Sequence, residues 1–286
     1  MDIGVGIPSA VPAATAHEVL EAARRAERHG FASIGAIDRL VYPNYEPLIA
    51  LAAAAAVTER VRLTTAVLIV PYRQNAALLA KQAASIDALS GGRLVLGVAI
   101  GARSDDYEAS GVPTHGRGRR LEEMLHEMDR IWAGEERGIA GAIGPEPVNG
   151  RPTLVTGGNA DAAFERAARH GDGWIAGGGT PQGYETSVEK MRAAWQAANR
   201  SGSPRMMAMA YCALGPAARD AADAWVHSYY GFAGAYADTV AARVATDQGA
   251  LRDMVQRYAE AGCQELLLFP CSAEPDQVDL LAEAVL

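Results

Sequence analysis

Two glycine-lined turns carry the clearest chemical signal in this chain. Val155-Thr156 runs into Gly157-Gly158-Asn159, with a helix expected from about Asp161, and Ala176-Gly177-Gly178-Gly179-Thr180 leads into a second helix. Glycines let the main chain turn tightly and approach a ligand, and the free N–H groups of a helix start attract anions. A phosphate held at Gly157, Gly158, Asn159, Gly177, Gly178 and Thr180 is one reading; ordinary strand–helix turns, where glycine is common, are the other. Asp161 and Asp172 place negative charge nearby, which suits capping better than phosphate.

Ile37-Asp38-Arg39 ends a strand-like run. Arg39 cannot titrate near neutrality, so it is unsuited to acid–base work. It could hold an anionic group or pair with Asp38, and a local ion pair and a catalytic role both stand open. Of the six histidines, His115 in Thr114-His115-Gly116-Arg117 is the best placed for proton transfer near pH 7. It shares its loop with Asp105, Asp106 and Tyr107. His17, His29, His126 and His170 fall on helical patterns; His227 does too, within an aromatic segment, Trp225–Tyr236, that could line a pocket. Met206, Met207 and Met209 read as core. No Gly-x-Gly-x-x-Gly follows the first strand, and His-x-x-x-His, Cys-x-x-Cys and Gly-x-Ser-x-Gly are absent. Rossmann, zinc and serine-nucleophile chemistry therefore lack a basis, and no metal ligands are assigned.

The elements that must position these residues alternate. Strands are expected at Ile3–Ile7, Ser33–Ile37, Val61–Val70, Leu94–Ile100, Thr153–Thr156, Trp174–Ala176, Met206–Leu214 and Gln264–Phe269. Helical patterns lie between them: Thr15–Arg28 with Gly30 as its stop, Pro47–Val57, Leu78–Leu89 closed by Gly91-Gly92, and Gly118–Ala133. Ala160–His170, Thr180–Asn199, Ala217–Tyr230, Thr239–Ala261 and Asp276–Val285 follow, while Gly134–Pro152 reads as an irregular connection. The strands Val61–Val70 and Leu94–Ile100 are apolar on both faces, as buried parallel strands are. Eight alternations in 286 residues fit a (β/α)8 TIM barrel, an α/β single domain over residues 1–286 with small insertions. In such barrels the loops beyond the C-terminal strand ends carry function, and the glycine turns, Asp38, Arg39 and the loop of Asp105, Asp106, Tyr107 and His115 fall there.

LTTAV, LLAKQAASIDALSGGRL, LGVAIGARSDDYEASGV with HGRGRRLEE, LVTGGNADAAFERAARHGDGWIAGG and GFASIGAIDRLVYPNYEPL together resemble the luciferase-like monooxygenase family of flavin- and coenzyme F420-dependent oxidoreductases. The resemblance covers most of Met1 to Gly179 and is looser in the C-terminal third. It implies a TIM barrel with the cofactor phosphate at the glycine turns and the ring at the barrel mouth. It also implies a bulge with a non-prolyl cis peptide at Ala66–Val67, beside Thr65, against which the ring is pressed. Gly101, after the fourth strand, belongs to the same implied cofactor site. Asp38 stands where relatives place an acidic residue near the substrate face of the ring. Arg39 stands where many carry a histidine, and the guanidinium would suit a reduced flavin anion or an anionic substrate. Two further departures are Arg73-Gln74-Asn75, where Arg-His-Pro or Arg-Asn-Pro is frequent, and Gly118, where some relatives carry a phosphate-touching tyrosine after the arginine matching Arg117.

The net charge of −8 argues against nucleic acid and against an anionic membrane surface. Leu51–Val57 is too short to span a bilayer, and no cationic, apolar leader opens the chain. Cys212, Cys263 and Cys271 form no disulfide framework, so a cytoplasmic setting is expected. The resemblance implies a flavin-dependent oxidoreductase acting on a small-molecule substrate by one of two routes. One uses reduced FMN and O2 to oxygenate, with a flavin reductase as partner; the other transfers hydride with coenzyme F420. A homodimer through an apolar helix face such as Pro47–Val57 is compatible. The alternative from another class is a non-catalytic flavin-binding or cofactor-free barrel, which the change to Arg39 and the glycine at 118 would fit. A lyase or isomerase that uses the turns for a substrate phosphate is a third.

Overall fold

The eight apolar runs all become parallel strands in the computed structural model, which describes residues 1–286. They are β1 (Asp2–Gly6), β2 (Ser33–Ala36), β3 (Arg62–Thr65), β4 (Leu68–Ile69), β5 (Leu94–Ala99), β6 (Thr153–Gly157), β7 (Gly173–Ala176), β8 (Arg205–Cys212) and β9 (Glu265–Pro270). The hydrogen-bonded order is β3-β2-β1-β9-β8-β7-β6-β5-β4, and pairing of β3 with β5, Leu63 opposite Leu94, closes the ring. Strands β3 and β4 share one barrel position, so nine segments make an eight-stranded parallel barrel. The expected continuous run Val61–Val70 is broken between them by a cis peptide at Ala66–Val67, as the resemblance implied.

Helices surround the barrel, and their ends obey the signals in the chain. Thr15 forms a capping box with Glu18 at the start of helix Ala16–His29, and Gly30 ends it at φ 82°. Val19, Ala22, Ala23 and Ala26 on one face of that helix are buried. Each fully buried aliphatic side chain of valine size stabilises by roughly 1.5–3 kcal/mol. Two expectations need correction. Thr239–Ala261 is two helices, Tyr236–Ala241 and Gln248–Glu260. Ala245 between them is drawn to the end of β8, where its carbonyl accepts from Ala213 N at 2.9 Å, and Asp247 caps the second helix through Ala250 N. The polar segment after β5 is a short helix, Ser104–Ser110, stopped by Gly111 at φ 68°.

The barrel interior is filled by Val95, Val155, Ile175, Met207, Leu267 and Phe269. Close packing dictates glycine at Gly6, where a Cβ would lie 2.1 Å from the Phe269 ring. The lower end is plugged by the buried Glu265, which accepts from Ser33 Oγ at 2.5 Å and Arg62 Nη2 at 3.0 Å and also from Arg205. With that end closed, the upper mouth is the open one. No helix is long and apolar enough to cross a membrane.

Candidate active site at the barrel mouth

Asp38 and Arg39 follow β2 and point their charges to different partners. The buried Asp38 carboxylate accepts from Ile69 N at 2.8 Å and Arg73 Nη2 at 3.1 Å. Arg39 Nε donates to Asp106 Oδ2 at 3.1 Å, and its Nη2 to Asp105 Oδ2 at 3.0 Å and to the Val41 carbonyl at 2.9 Å. Of the two alternatives left open by the sequence, the local Asp38–Arg39 ion pair does not form; Asp38 pairs with Arg73, and Arg39 with Asp105 and Asp106. The cause lies in the elements: helix Ser104–Ser110 presents Asp105 and Asp106 to Arg39, while the turn after β4 brings Arg73 to Asp38. Burial pushes the Asp38 carboxyl above its ordinary range, against the opposing pull of Arg73 and the Ile69 N–H.

Asp38 and Arg39 line a cavity of about 180 Å³ with Ile69, Gly101, Arg103, Tyr229 and other residues. The aromatic segment foreseen near Trp225 supplies its far wall through Tyr229, Tyr230 and Phe232. Gly101 is required by geometry: its φ is 68°, and a Cβ there would meet Ile69 Cγ2 at 2.8 Å. A second cleft of about 380 Å³ shares Asp38 and Arg39 and runs on past Glu46, Tyr72 and Leu78. His115 is not brought to this site. It is exposed in the turn before helix Arg117–Trp132, has no hydrogen-bond partner, and lines neither cleft.

The cis bulge and the first glycine turn are in contact range: a Cβ on Gly157 would lie 3.5 Å from Val67 Cγ1. Thr65 Oγ1 fastens the bulge by donating to the Gly97 carbonyl at 2.7 Å. Beyond Gly157, Gly158 adopts φ 124° and its carbonyl accepts from Trp174 Nε1 at 2.8 Å. Ala160, the residue capping helix Asp161–His170, offers no side-chain acceptor; Ala163 N donates to the Ala160 carbonyl at 2.7 Å, and the N–H groups of Asp161 and Ala162 are left for an external acceptor. Asn159, just before this helix, lines a cleft of about 260 Å³ with Gly177, Gly179, Thr180 and Gly183 of the second glycine turn and the helix that follows it. The Thr180 hydroxyl caps its own helix through Gly183 N at 3.2 Å. Gly178 faces Tyr211 instead, whose hydroxyl meets that of Tyr230 at 2.6 Å and so ties the turn to the mouth.

The two nearby acids do not oppose an anion here. Asp161 is paired with Lys190 at 3.0 Å, and Asp172 lies at the far end of its helix, where it pairs with Arg151 at 2.5 Å. A side chain at 118 would meet Arg166 Nη2 at 3.0 Å, so Arg166 occupies the space beside Gly118. No cluster of three or more His, Cys, Asp or Glu side chains is placed to hold a metal ion.

With that geometry in place, the chain also matches the family model of the luciferase-like monooxygenases over residues 1–278. The chain belongs to that family. Among its relatives, an uncharacterized protein of Mycobacterium tuberculosis is 35% identical over 175 residues, 57% of this chain and 61% of that one. An FMNH2-dependent dimethylsulfone monooxygenase of Pseudomonas fluorescens is 30% identical over 152 residues, 49% of this chain and 41% of that enzyme. The matched stretches thus span between about two-fifths and three-fifths of these relatives' lengths. Among solved structures, an F420-dependent secondary alcohol dehydrogenase bound to an F420–acetone adduct superposes with a TM-score of 0.82 at 18% identity, covering 99% of this chain and 98% of that one. A monooxygenase from Streptomyces bottropensis superposes at 0.77 with 21% identity and the same coverage. Those likenesses concern the fold.

Sequence reasoning missed Arg73 as the partner of Asp38, and it missed Arg103 altogether. Neither carries a local signal, because each acts across loops that only barrel closure brings together.

Proposed function

We propose that this luciferase-like chain is an oxidoreductase that uses FMN or coenzyme F420 on a small organic substrate. The observation that carries the reading is the closeness of the two features: Val67 Cγ1 lies 3.5 Å from where a Cβ on Gly157 would be, which sets the bulge beside the turn that leads to the uncapped helix start. Residues Asn159, Gly177 and Thr180 would hold the cofactor phosphate, and Ala66–Val67 and Gly101 would flank its ring. The fit is supported at Gly177, where nothing lies within 4 Å of a Cβ position and an anion can approach the main chain. When bound, the cofactor supplies either oxygenation with O2 or hydride transfer.

The chain's own residues then have separate tasks. Asp38 Oδ2 is held by Ile69 and Arg73, and the carboxyl lines the cavity, where it would hold or release a proton. Burial raises its pKa, the direction that such a task requires. Tyr229, Tyr230 and Phe232 exclude water from the mouth. Arg39 is a clamp between the loops after β2 and β5, and His115 has no step in this reading. The FMN route would also require a reductase partner; the F420 route would not.

The test is titration of the purified protein with FMN and F420, each oxidised and reduced, followed by fluorescence or calorimetry. Tight binding of F420 alone assigns hydride transfer, and tight binding of reduced FMN alone assigns oxygen chemistry. Binding of neither overturns the reading.

A further inference from the structure

Three arginines are buried in this protein, and two of them face carboxylates. Arg39 lies against Asp105 and Asp106, and Arg166 Nε is 3.3 Å from Glu122 Oε1. Arg103 at the barrel mouth is 9% exposed and has no carboxylate in ion-pair range. Its one hydrogen bond goes to the Tyr229 carbonyl. Its guanidinium carbon sits 4.7 Å from the Tyr229 ring centroid and 3.7 Å from that of Phe232. Aromatic faces offset part of the cost of burying a cation, but a guanidinium has five N–H donors and they supply no acceptor. A buried charge without a counterion is costly, and Arg103 lines the cavity where a ligand would supply one. Burial above all, with Arg39 adding repulsion, lowers the Arg103 pKa from its ordinary value against the opposing pull of Asp105 and Asp106.

We propose that Arg103 is the receptor for the carboxylate of a small planar substrate. A single negative charge fits better than a phosphate dianion, because Asp38 and Asp106 line the same cavity and would repel a second charge. The guanidinium fork matches a carboxylate in plane, and the aromatic lining of the cavity, to which Tyr107 and Tyr230 also contribute, favours a flat, unsaturated body. Such a ligand has its carboxylate at Arg103 and its remaining atoms within the reach of Asp38. Arg103 is thereby a specificity residue. The inference rests on the oxidoreductase reading for what becomes of the ligand, but the anion site can be measured without a cofactor.

The experiment uses the full chain free of cofactor, with benzoate and 4-hydroxybenzoate as probes and benzyl alcohol as the uncharged control. Binding is followed by calorimetry and by tryptophan fluorescence, since Trp225 stacks on Tyr229 at 5.0 Å. Trp225→Phe identifies the reporting residue. The expected result is saturable binding of at least one carboxylate, weakened about tenfold or more in Arg103→Gln and partly restored in Arg103→Lys. Benzyl alcohol should bind more weakly by a similar factor, and denaturant midpoints establish that the variants are folded. Carboxylate affinity equal in the wild type and Arg103→Gln overturns the proposal, and so does the absence of saturable binding. Unchanged carboxylate binding with a selective loss of reduced-cofactor binding also overturns it, because the anion would then be the cofactor's own. Arg103-dependent carboxylate binding in a chain that binds neither FMN nor F420 supports the anion site and overturns the oxidoreductase reading.

Discussion

Asp38 is bonded to Arg73, a residue 35 positions away, through Oδ2 and Nη2 at 3.1 Å, and not to its neighbour Arg39. Arg73 is held in turn by Glu46 at 2.8 Å, so it keeps a counterion if Asp38 is neutralised. Asp38→Asn should therefore fold, bind cofactor with nearly wild-type affinity, and lose turnover by roughly 10²–10⁴-fold, the usual contribution of a positioned acid–base group. The rate of reduced-cofactor consumption set beside the titrated affinity decides it. Wild-type turnover in the variant would leave Asp38 as an ion-pair residue only.

Arg39 carries the opposite expectation, a structural one. Its side chain and that of Asp106 are 5% and 4% exposed, and Asp106 Oδ1 also accepts from Val41 N at 2.7 Å. Arg39→Ala leaves Asp106 buried and unpaired, which costs about 3–5 kcal/mol. Arg39→Lys keeps the charge but cannot reach two carboxylates with a fixed fork, so it should recover only part of that loss. Urea unfolding of the three proteins measures this. A variant as stable as the wild type would show that the clamp contributes nothing.

The barrel and the glycine turns were legible in the chain because strand periodicity, helix stops and Gly-rich turns are local features. The pairing of the mouth residues was not. Asp38 and Arg39 are adjacent in sequence, yet successive residues leaving a strand diverge, and their partners come from the segments after β4 and β5. The same holds for His115, whose loop lies on the right side of the barrel but whose side chain is turned to solvent. The aromatic wall was visible as a segment, Trp225–Tyr236. Its contact with Arg103 depends on a helix packing across the mouth, and no spacing rule contains that.

The two glycine turns differ in what a side chain would meet, and that difference separates folding from binding. At Gly158 a Cβ lies 2.9 Å from Ala163 Cβ and φ is 124°, so any substitution strains the turn. At Gly177 the space is open, so Gly177→Ala should keep the stability of the wild type. Gly177→Asp should then fold as well but weaken cofactor binding about tenfold or more, since like charges a few ångströms apart repel. Fluorescence titration of both variants checks this. Unchanged affinity in Gly177→Asp would remove the phosphate from that turn.

His227 joins helix Ala218–Tyr230 to helix Tyr236–Ala241 and brackets the turn that carries Phe232. Its Nε2 is 2.9 Å from Asp238 Oδ1 and its Nδ1 is 2.7 Å from the Asp223 carbonyl, so both nitrogens can donate to these acceptors only when the ring is protonated. The bond to Asp238, followed by that to the Asp223 carbonyl, raises its pKa from the ordinary 6.5. A raised value means that the folded state binds the proton more tightly than the unfolded one. The link is thus fully present below pH 6.5 and is lost as pH rises through the higher folded value. Hydrogen exchange in Tyr236–Ala241, corrected for intrinsic rates, should lose protection across that interval in the wild type. His227→Gln should show low and nearly pH-independent protection. An equal pH response in the two proteins would mean that the aromatic wall is held by packing alone.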